Sequence, residues 1–429
     1  MNTHFLPTIK TSIATITGLF CLSLIIMSCT QQPGTTSTPT PSPTPMAVPN
    51  NTPSPEINQK LISANTRFGF KLFSEIQKKQ PNKNIFLSPS SVAMALTMAY
   101  NGSAGETQKA MNKALELQGL TLEEINRNNN ILKTSLTTAD PQVKLAIANS
   151  LWTNQQVTIK PDFLQKNQQY YDAEINKLNF SDSASVGTIN DWVKNKTNGK
   201  ITKIVDQLQP DEILWLINAI YFKGNWSEPF AKEATKERPF TLLDGSKKQH
   251  PLMSQSDRYQ YLENNQFQAI SLPYGSGQMS FYVFLPKTGN SLDSFYNSLN
   301  AQTWEQWIKQ FRSRPGSISL PKFKLEYDIT LNESLQALGM TPAFNRQQAD
   351  FSGISNEKTS IDQVKHKTFV EVNEEGTEAA AVTGIGIRAT SAPPKAQPFE
   401  MIVDRPFFCV IRDNKTGTIL FMGSIIDPK

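Results

Sequence analysis

The stretch EEGTEAAAVTGIGIRATSAPPKAQP, residues 374–398, decides how the rest of the chain is interpreted. It separates an alternating, strand-like segment from an apolar one, and a Gly- and Pro-punctuated segment of this length is too long for a tight turn, so we expect an exposed loop. Alternate positions in its first half carry small residues: Thr377, Ala379, Ala381 and Thr383. Small residues at a period of two suit one face of a close-packed sheet. The sequence therefore predicts a loop that can become a strand.

The segments before and after this loop change from helical to strand periodicity along the chain. Apolar residues recur every three or four positions from Ile57 to Ile76, which predicts an amphipathic helix. Ser88-Pro89 predicts the start of a second helix, with Ser at the N-cap and Pro at the first helical position. Apolar runs on both sides of a Gly-containing turn predict two hairpins, within 267–285 and 407–422. Early helices and late strands favour an α+β fold with a mostly antiparallel sheet system.

Composition excludes several kinds of site. The 429 residues include 42 Lys and Arg against 37 Asp and Glu, with no long basic run, so no nucleic-acid partner is expected. Cys409 is the only cysteine after Cys29, which excludes a cysteine-rich metal site and an intramolecular disulfide in the body. No metal and no cofactor are therefore expected. A dinucleotide-type G-x-G-x-x-A pattern at 384–389 is rejected, because Pro-rich sequence follows where a helix should begin.

The chain is also not expected to be an enzyme. A serine nucleophile needs a histidine base, and His250 and His366 are the only histidines beyond the N-terminal segment. There is no G-x-S-x-G motif. His366 lies in a strand-like stretch, and we interpret it as a hydrogen-bonded structural histidine rather than a base.

The N-terminal segment predicts export. An apolar run follows Lys10 and ends at Ser28-Cys29, which predicts a signal peptide over residues 1–28. The small residue before Cys29 resembles a bacterial lipobox and predicts lipid attachment at that cysteine. A plain signal peptide or a membrane-spanning anchor is the alternative, although the apolar run is short and interrupted by Thr, Gly and Ser. We expect the protein to be lipid-anchored in a bacterial cell envelope or to be extracellular.

The rest of the chain divides into a linker and one domain. Residues 29–56 are rich in Pro, Ser and Thr, which predicts an extended, solvated tether behind the lipidated cysteine. No second linker and no repeat follows, so residues 57–429 are expected to form a single domain. The lipid anchor would be its only contact with a membrane.

Six sequence blocks show which family the chain resembles. They are NIFLSPSS at 84–91, NAIYFKGNWSEPF at 218–230, LPKF at 320–323, EEGTEAAA at 374–381, DRPFF at 404–408 and FMGS at 421–424. In this order, across residues 57–429, they closely resemble the serpin family, and the fourth block resembles the hinge of its inhibitory members. The resemblance implies an α+β serpin fold, with three mostly antiparallel sheets, about eight or nine helices and an exposed reactive loop at about 374–398.

The resemblance also implies a mechanism. A serine protease would attack one bond of the loop and form a covalent acyl complex, and the freed hinge would then insert into the main sheet before deacylation. A metastable starting sheet would supply the energy. The implied molecule is a monomeric suicide-substrate inhibitor whose partner is a serine protease.

The family's residue roles carry over position by position. The implied hinge consists of Glu375, Gly376, Thr377, Glu378, Ala379, Ala380 and Ala381. Gly376 would be the pivot, because it lacks a Cβ atom, and Thr377 would enter the sheet first. The resemblance implies a buried polar shutter made of Ser88, Ser91, Asn218 and His366. It places Trp226 at the breach, where insertion would begin.

The reactive bond is implied by the family's spacing from the hinge glycine, which gives Thr390–Ser391. A small, uncharged residue suits the narrow pocket of an elastase-like or subtilisin-like protease. The alternative bond, Arg388–Ala389, would suit a trypsin-like protease. Gly384 and Gly386 depart from a regular strand pattern, and we expect them to slow insertion and favour substrate behaviour.

A non-inhibitory, serpin-fold binding lipoprotein is the alternative function. The small hinge residues Ala379 to Ala381 argue against it, since non-inhibitory members often carry bulky or charged residues there.

Overall fold

The computed structural model describes residues 57–377 and 397–429. Its α-helices are α1 (Gln59–Lys79), α2 (Pro89–Tyr100), α3 (Gly105–Ala114), α4 (Leu122–Thr137), α5 (Pro161–Tyr171), α6 (Ala184–Lys196), α7 (Leu292–Ser298), α8 (Ala301–Ile308), α9 (Asn332–Leu335) and α10 (Thr341–Phe344). Its strands are β1 (Ile85–Leu87), β2 (Val143–Asn154), β3 (Glu174–Leu178), β4 (Leu214–Asn225), β5 (Lys236–Thr241), β6 (Lys247–Glu263), β7 (Phe267–Tyr274), β8 (Met279–Pro286), β9 (Arg312–Pro321), β10 (Phe323–Thr330), β11 (Gln363–Asn373), β12 (Gly376–Thr377), β13 (Phe399–Ile402), β14 (Phe407–Asp413) and β15 (Ile419–Ile425). The predicted α+β class is confirmed.

The first two helices begin where the sequence predicts. The apolar stripe is buried along α1, and the Asn58 side chain caps that helix by accepting from the Lys60 amide. Ser88 is the N-cap residue of α2 and Pro89 is its first residue, but the Ser88 hydroxyl makes no capping bond. Every residue of α2 is buried, which makes it the central helix behind the sheets. None of the helices of the described residues has both the length and the apolar character needed to cross a membrane.

A nine-stranded sheet contains both predicted hairpins. Its order is β1-β15-β14-β8-β7-β6-β9-β13, and β5 pairs with β6. The hairpins are β7 with β8 and β14 with β15, and both strands of the C-terminal pair are internal, as their apolar faces predict. The long strand β6 pairs with β5 and β9 and also with β7. It therefore joins two groups of strands into one hydrogen-bonded network.

A six-stranded sheet positions the candidate site. Its order is β10-β11-β12-β4-β2-β3. Strands β4 and β11 are parallel and pair directly from Trp215 with Gln363 to Tyr221 with Phe369. At one end the two-residue strand β12 lies between them, antiparallel to both. We call the boundary between β4 and β11 the seam.

The two faces of this sheet are covered differently. The inner face packs against the main core, which includes α1, α2 and the nine-stranded sheet. The outer face carries a second apolar cluster, which includes Trp215, Ile217 and Phe369 and is covered by α6 and by residues of segment 197–208. Whatever opens the seam must therefore disturb packing on both sides.

Candidate functional site at the seam

The chain returns from β11 into the seam through a tight turn. Gly376 pairs with Asn225 of β4 and with Asn373 of β11. Backbone amides fix the turn from the β4 side, since Trp226 N donates to Glu375 O at 2.9 Å and Phe230 N donates to Glu374 O at 2.8 Å. The start of the loop is thus already part of the sheet.

Gly376 has a conformation that other residues rarely adopt. Its φ is 152°, and a Cβ atom built there would lie 2.1 Å from the Gly224 carbonyl oxygen. A side chain would force the backbone of β4 away. The close pairing at this turn therefore requires glycine.

Thr377 occupies a fully buried position between the two strands. Its Oγ1 atom lies 2.6 Å from the hydroxyl of Tyr274, which is also fully buried. The Tyr274 ring stacks on Trp226, with centroids 4.6 Å apart, and the Trp226 Nε1 atom donates to Asn373 O at 2.9 Å. The stacked rings of Tyr274 and Trp226 therefore lie next to Thr377, the first residue placed in the seam.

Two ion pairs hold the root of the hinge. Lys322 lies 2.9 Å from Glu374, which also accepts from the Thr235 hydroxyl at 2.8 Å, and Lys232 lies 2.9 Å from Glu375. Burial works to raise the pKa of Glu374, but the bonds from Lys322 and Thr235 outweigh it, so that pKa lies below its usual value. These pairs fix the point from which the loop leaves the sheet.

A buried polar cluster lies midway along the seam. The backbone amide of Ser88 donates to His366 Nε2 at 3.0 Å, so Nδ1 carries the proton and donates to Asn218 Oδ1 at 2.5 Å. The Asn218 amide in turn donates to Ser91 Oγ and to Asn149 Oδ1. Burial lowers the pKa of His366 to about 3, and a second ring proton would face the Ser88 N–H. His366 is therefore neutral and joins β4, β11 and α2.

The structure brings together the four shutter residues implied by the resemblance, although Ser88 contributes its main chain. Its hydroxyl is buried without a hydrogen-bond partner among the described residues. Sequence reasoning missed Asn149 on β2 and Tyr274 on β7. Neither belongs to a block of the resemblance, and both reach the site through strand register, which no local pattern specifies.

A polar contact crosses the seam on its outer face. Lys367 of β11 donates to the backbone oxygen of Lys203 at 2.6 Å, and its ammonium pairs with Glu326 at 2.6 Å. The segment that contains Lys203 packs on β4 through Ile201 and Ile204. This contact bridges the two strands that the seam separates.

Several residues singled out from the sequence lie outside the described residues: Cys29, Glu378, Ala379, Ala380, Ala381, Arg388, Ala389, Thr390 and Ser391. Within the described ranges, no group of three or more His, Cys, Asp or Glu side chains is arranged to hold a metal ion. His250 lies apart from His366, with its Nε2 atom 2.5 Å from the Lys322 carbonyl oxygen. The described part of the site therefore consists of the hinge root, the breach and the shutter.

Comparison with known proteins places this geometry in context. Residues 63–428 match the family model described as serpin, serine protease inhibitor. The human protein named leukocyte elastase inhibitor is 35% identical over 384 residues, which cover 86% of this chain and 100% of that protein. Human neuroserpin is 34% identical, over 83% of this chain and 89% of its own. The crystal structure of tengpin, a thermophilic serpin, in the native state superimposes with a TM-score of 0.80 at 35% identity, over 87% of this chain and 95% of that chain.

Proposed function

The chain belongs to the serpin family, and from that premise we propose that it inhibits a serine protease as a suicide substrate and is not itself an enzyme. The observation that carries the proposal is the seam. Two parallel strands pair directly, and a two-residue antiparallel strand is already placed between them at one end. The root of the loop is thus poised to extend that strand once a protease has cut the loop.

Hydrogen bonding supplies the energy for this step. A strand inserted along the seam would be antiparallel to both neighbours and would replace one slanted parallel ladder by two antiparallel ones. If about 14 inserted residues each gain about 0.5–1.5 kcal/mol, the total is on the order of 10 kcal/mol. That energy would be available to distort a bound protease before deacylation.

The observed register supports this path. Extended from the pairs of Gly376 and Thr377, it brings residue 381 opposite Ile220 and Thr368, and residue 383 opposite Asn218 and His366. Odd-numbered loop residues would face the inner, tightly packed side together with Thr377. The small side chains that alternate in the loop would therefore enter the core face, and the Thr383 hydroxyl would arrive beside the polar shutter.

We further propose that the reactive bond is Thr390–Ser391 and that the target is an elastase-like or subtilisin-like protease. The small, uncharged Thr390 supports this choice, as does similarity to a relative named leukocyte elastase inhibitor. Arg388–Ala389, with a trypsin-like target, is the alternative. The two bonds release different C-terminal fragments, which makes them separable by mass.

The test mixes residues 30–429 with elastase and, separately, with trypsin. A covalent complex that survives denaturation, together with a fragment starting at Ser391, is the expected result, and a fragment starting at Ala389 would select the alternative bond. Protease whose active serine has been blocked is the control and should give no complex. Cleavage without any complex, by every protease tried, would contradict the proposal and favour a non-inhibitory binding lipoprotein.

The N-terminal segment supports a proposal about location. Cys29 would carry a lipid, and residues 30–56 would hold the inhibitor, as a monomer, away from a bacterial membrane. Labelled fatty acid should be incorporated into the full chain and not into the Cys29→Ser variant. Equal labelling of both would refute the lipid anchor.

A further inference from the structure

A cavity of about 370 Å³ opens at the end of the seam opposite to the hinge. Its walls include Trp215 and Gln363, which are the first paired residues of β4 and β11, and the carboxylates of Asp206 and Glu212. Trp215 belongs to the outer-face cluster, so the cavity lies on that face. It marks the end of the path that an inserted strand would follow.

Glu212 is a buried carboxylate without a cation. Its side chain accepts from Gln209 N at 2.8 Å and from Trp215 Nε1 at 3.0 Å, and both bonds fall on Oε2. The residue is 9% exposed and has no ion pair with any described residue, whereas the neighbouring Asp211 is bound by Arg346. A buried charge is costly unless a partner neutralises it. A cationic group that reached Glu212 would therefore find a carboxylate with no competing ion pair among the described residues.

Lys365, the cation on the cavity wall, is bound to residues other than Glu212. Lys365 lines the cavity, but its ammonium lies 3.4 Å from Asp328 and donates to the Thr330 hydroxyl at 3.2 Å. Asp206, the second carboxylate of the cavity, pairs with Lys203 at 2.6 Å. Of the three charged residues that line the cavity, Glu212 is the one without an ion pair among the described residues.

We propose that this cavity binds the guanidinium of Arg388 after the cleaved loop has inserted, an inference that rests on the proposed function. The register extended from Gly376 and Thr377 brings residue 386 opposite Trp215 and Gln363, the end pair of the seam, so residue 388 would lie two residues beyond that end. With continued strand alternation, the side chain of residue 388 would leave on the same outer side as Trp215.

Residue 386 is glycine, so no side chain would fill the space between Trp215 and Gln363. The arginine two residues later has the length and the charge to reach Glu212, whose Oε1 atom accepts neither of the bonds from Gln209 and Trp215. An arginine–carboxylate pair in a partly closed site is among the stronger polar contacts in proteins. Arg388 would act as a positioning residue that fixes the far end of the new strand.

The anchor would matter for trapping because it lies next to the acyl bond. Arg388 is two residues before Thr390, the residue that would be esterified to the protease. A strand held at that point resists being pulled back by the attached enzyme. Without the anchor, a larger share of the acyl-enzyme would be hydrolysed before the protease is distorted.

The test uses synthetic peptides of residues 377–390, with Arg or Gln at position 388, annealed to the intact protein. Against the unaltered protein, the Gln peptide should bind about tenfold more weakly, as expected for loss of one charge-assisted bond. Against Glu212→Gln, which keeps an oxygen for Trp215 and Gln209, the two peptides should bind equally. Asp211→Asn is the matched control and should preserve the tenfold difference. A difference that persists in Glu212→Gln, or one that is absent from the unaltered protein, would overturn the inference.

The same coupling can be measured within one chain. In protein cleaved at the reactive bond, Arg388→Gln should lower the thermal midpoint in the unaltered background and leave it unchanged in Glu212→Gln. Covalent complex formation is followed in parallel. If complexes form but no coupling is seen by peptides or by cleaved protein, only the anchor is refuted. If neither complexes nor peptide binding occur, the proposed function itself fails.

Discussion

Replacement of Thr377 by arginine is expected to convert the inhibitor into a substrate. Thr377 is the first residue of the loop whose side chain enters the seam, and it is fully buried, with its hydroxyl 2.6 Å from that of Tyr274. Arginine in its place would push a guanidinium against the stacked rings of Tyr274 and Trp226. No carboxylate contacts Thr377 among the described residues to receive that charge.

The free-energy cost of inserting arginine at position 377 has two contributions. Loss of the hydroxyl leaves a buried Tyr274 hydroxyl unpaired, at a cost of about 1–3 kcal/mol. Burial of an unpaired guanidinium adds several kcal/mol. Each 1.4 kcal/mol is a factor of ten, so even about 3 kcal/mol slows entry of the hinge by about a hundredfold. Native stability should fall by no more than about 1–3 kcal/mol, the cost of the lost Tyr274 contact, because β12 pairs only two residues and can withdraw from the seam without burying the guanidinium.

The assay measures how much acyl-enzyme is trapped. Thr377→Arg should be cleaved at the same bond as the unaltered protein and should yield almost no covalent complex on a denaturing gel. Thr377→Ser keeps the hydroxyl, fits the same space and should trap normally. A Thr377→Arg variant that still traps more than half of the protease would refute the idea that the hinge enters at this position.

Three further predictions concern the groups around the hinge. Gly376→Ala should weaken the pairing of β12 and reduce the trapped fraction severalfold in the complex assay, because its Cβ atom would lie 2.1 Å from the Gly224 oxygen. The folded pKa of His366 is about 3, below its ordinary unfolded value, so the unfolded state binds more protons in between. The free energy of unfolding should therefore fall as pH drops from about 6.5 towards 3, by up to about 1.4 kcal/mol per pH unit, and urea titrations should find a smaller slope in His366→Gln. The pKa of Glu374 is lowered by its bonds to Lys322 and Thr235 rather than by burial. Its stabilising contribution is present above its unfolded pKa and is lost as pH falls through the folded value. Lys322→Met and Glu374→Gln should each destabilise the native state by about 0.5–1 kcal/mol, and the double variant by less than their sum.

Local patterns predicted the elements that carry their own signal. The apolar stripe gave the position of α1, Ser88-Pro89 gave the start of α2, and turn residues between apolar runs gave both hairpins. In each case the residues that decide the structure are neighbours in the sequence. Such elements can be recognised because periodicity and capping act over a few residues.

The contacts at the seam could not be predicted in that way. Tyr274 meets Thr377 across 103 positions of sequence, and Lys322 meets Glu374 across 52. Which residues face each other depends on the pairing of β4, β7 and β11, and a shift by one residue would turn every side chain to the other face. The resemblance identified shutter residues, but the structure was needed to assign the Ser88 contact to its main chain rather than to its hydroxyl.

The register also changes the interpretation of the two loop glycines. From the strand pattern alone, Gly384 and Gly386 are expected to slow insertion, because glycine in a strand costs roughly 0.5–1 kcal/mol relative to alanine. Extended from Thr377, the register brings them opposite Ile217 and Trp215 on the outer face, where segment 197–208 covers the sheet. A side chain at position 384 would have to displace that packing, and overpacking typically costs about 1–3 kcal/mol, whereas position 386 faces the open cavity beside Trp215. At position 384 the strand-propensity penalty of glycine is therefore smaller than the steric cost that glycine avoids, and on this register Gly384 would help the loop to pass beneath the covering segment.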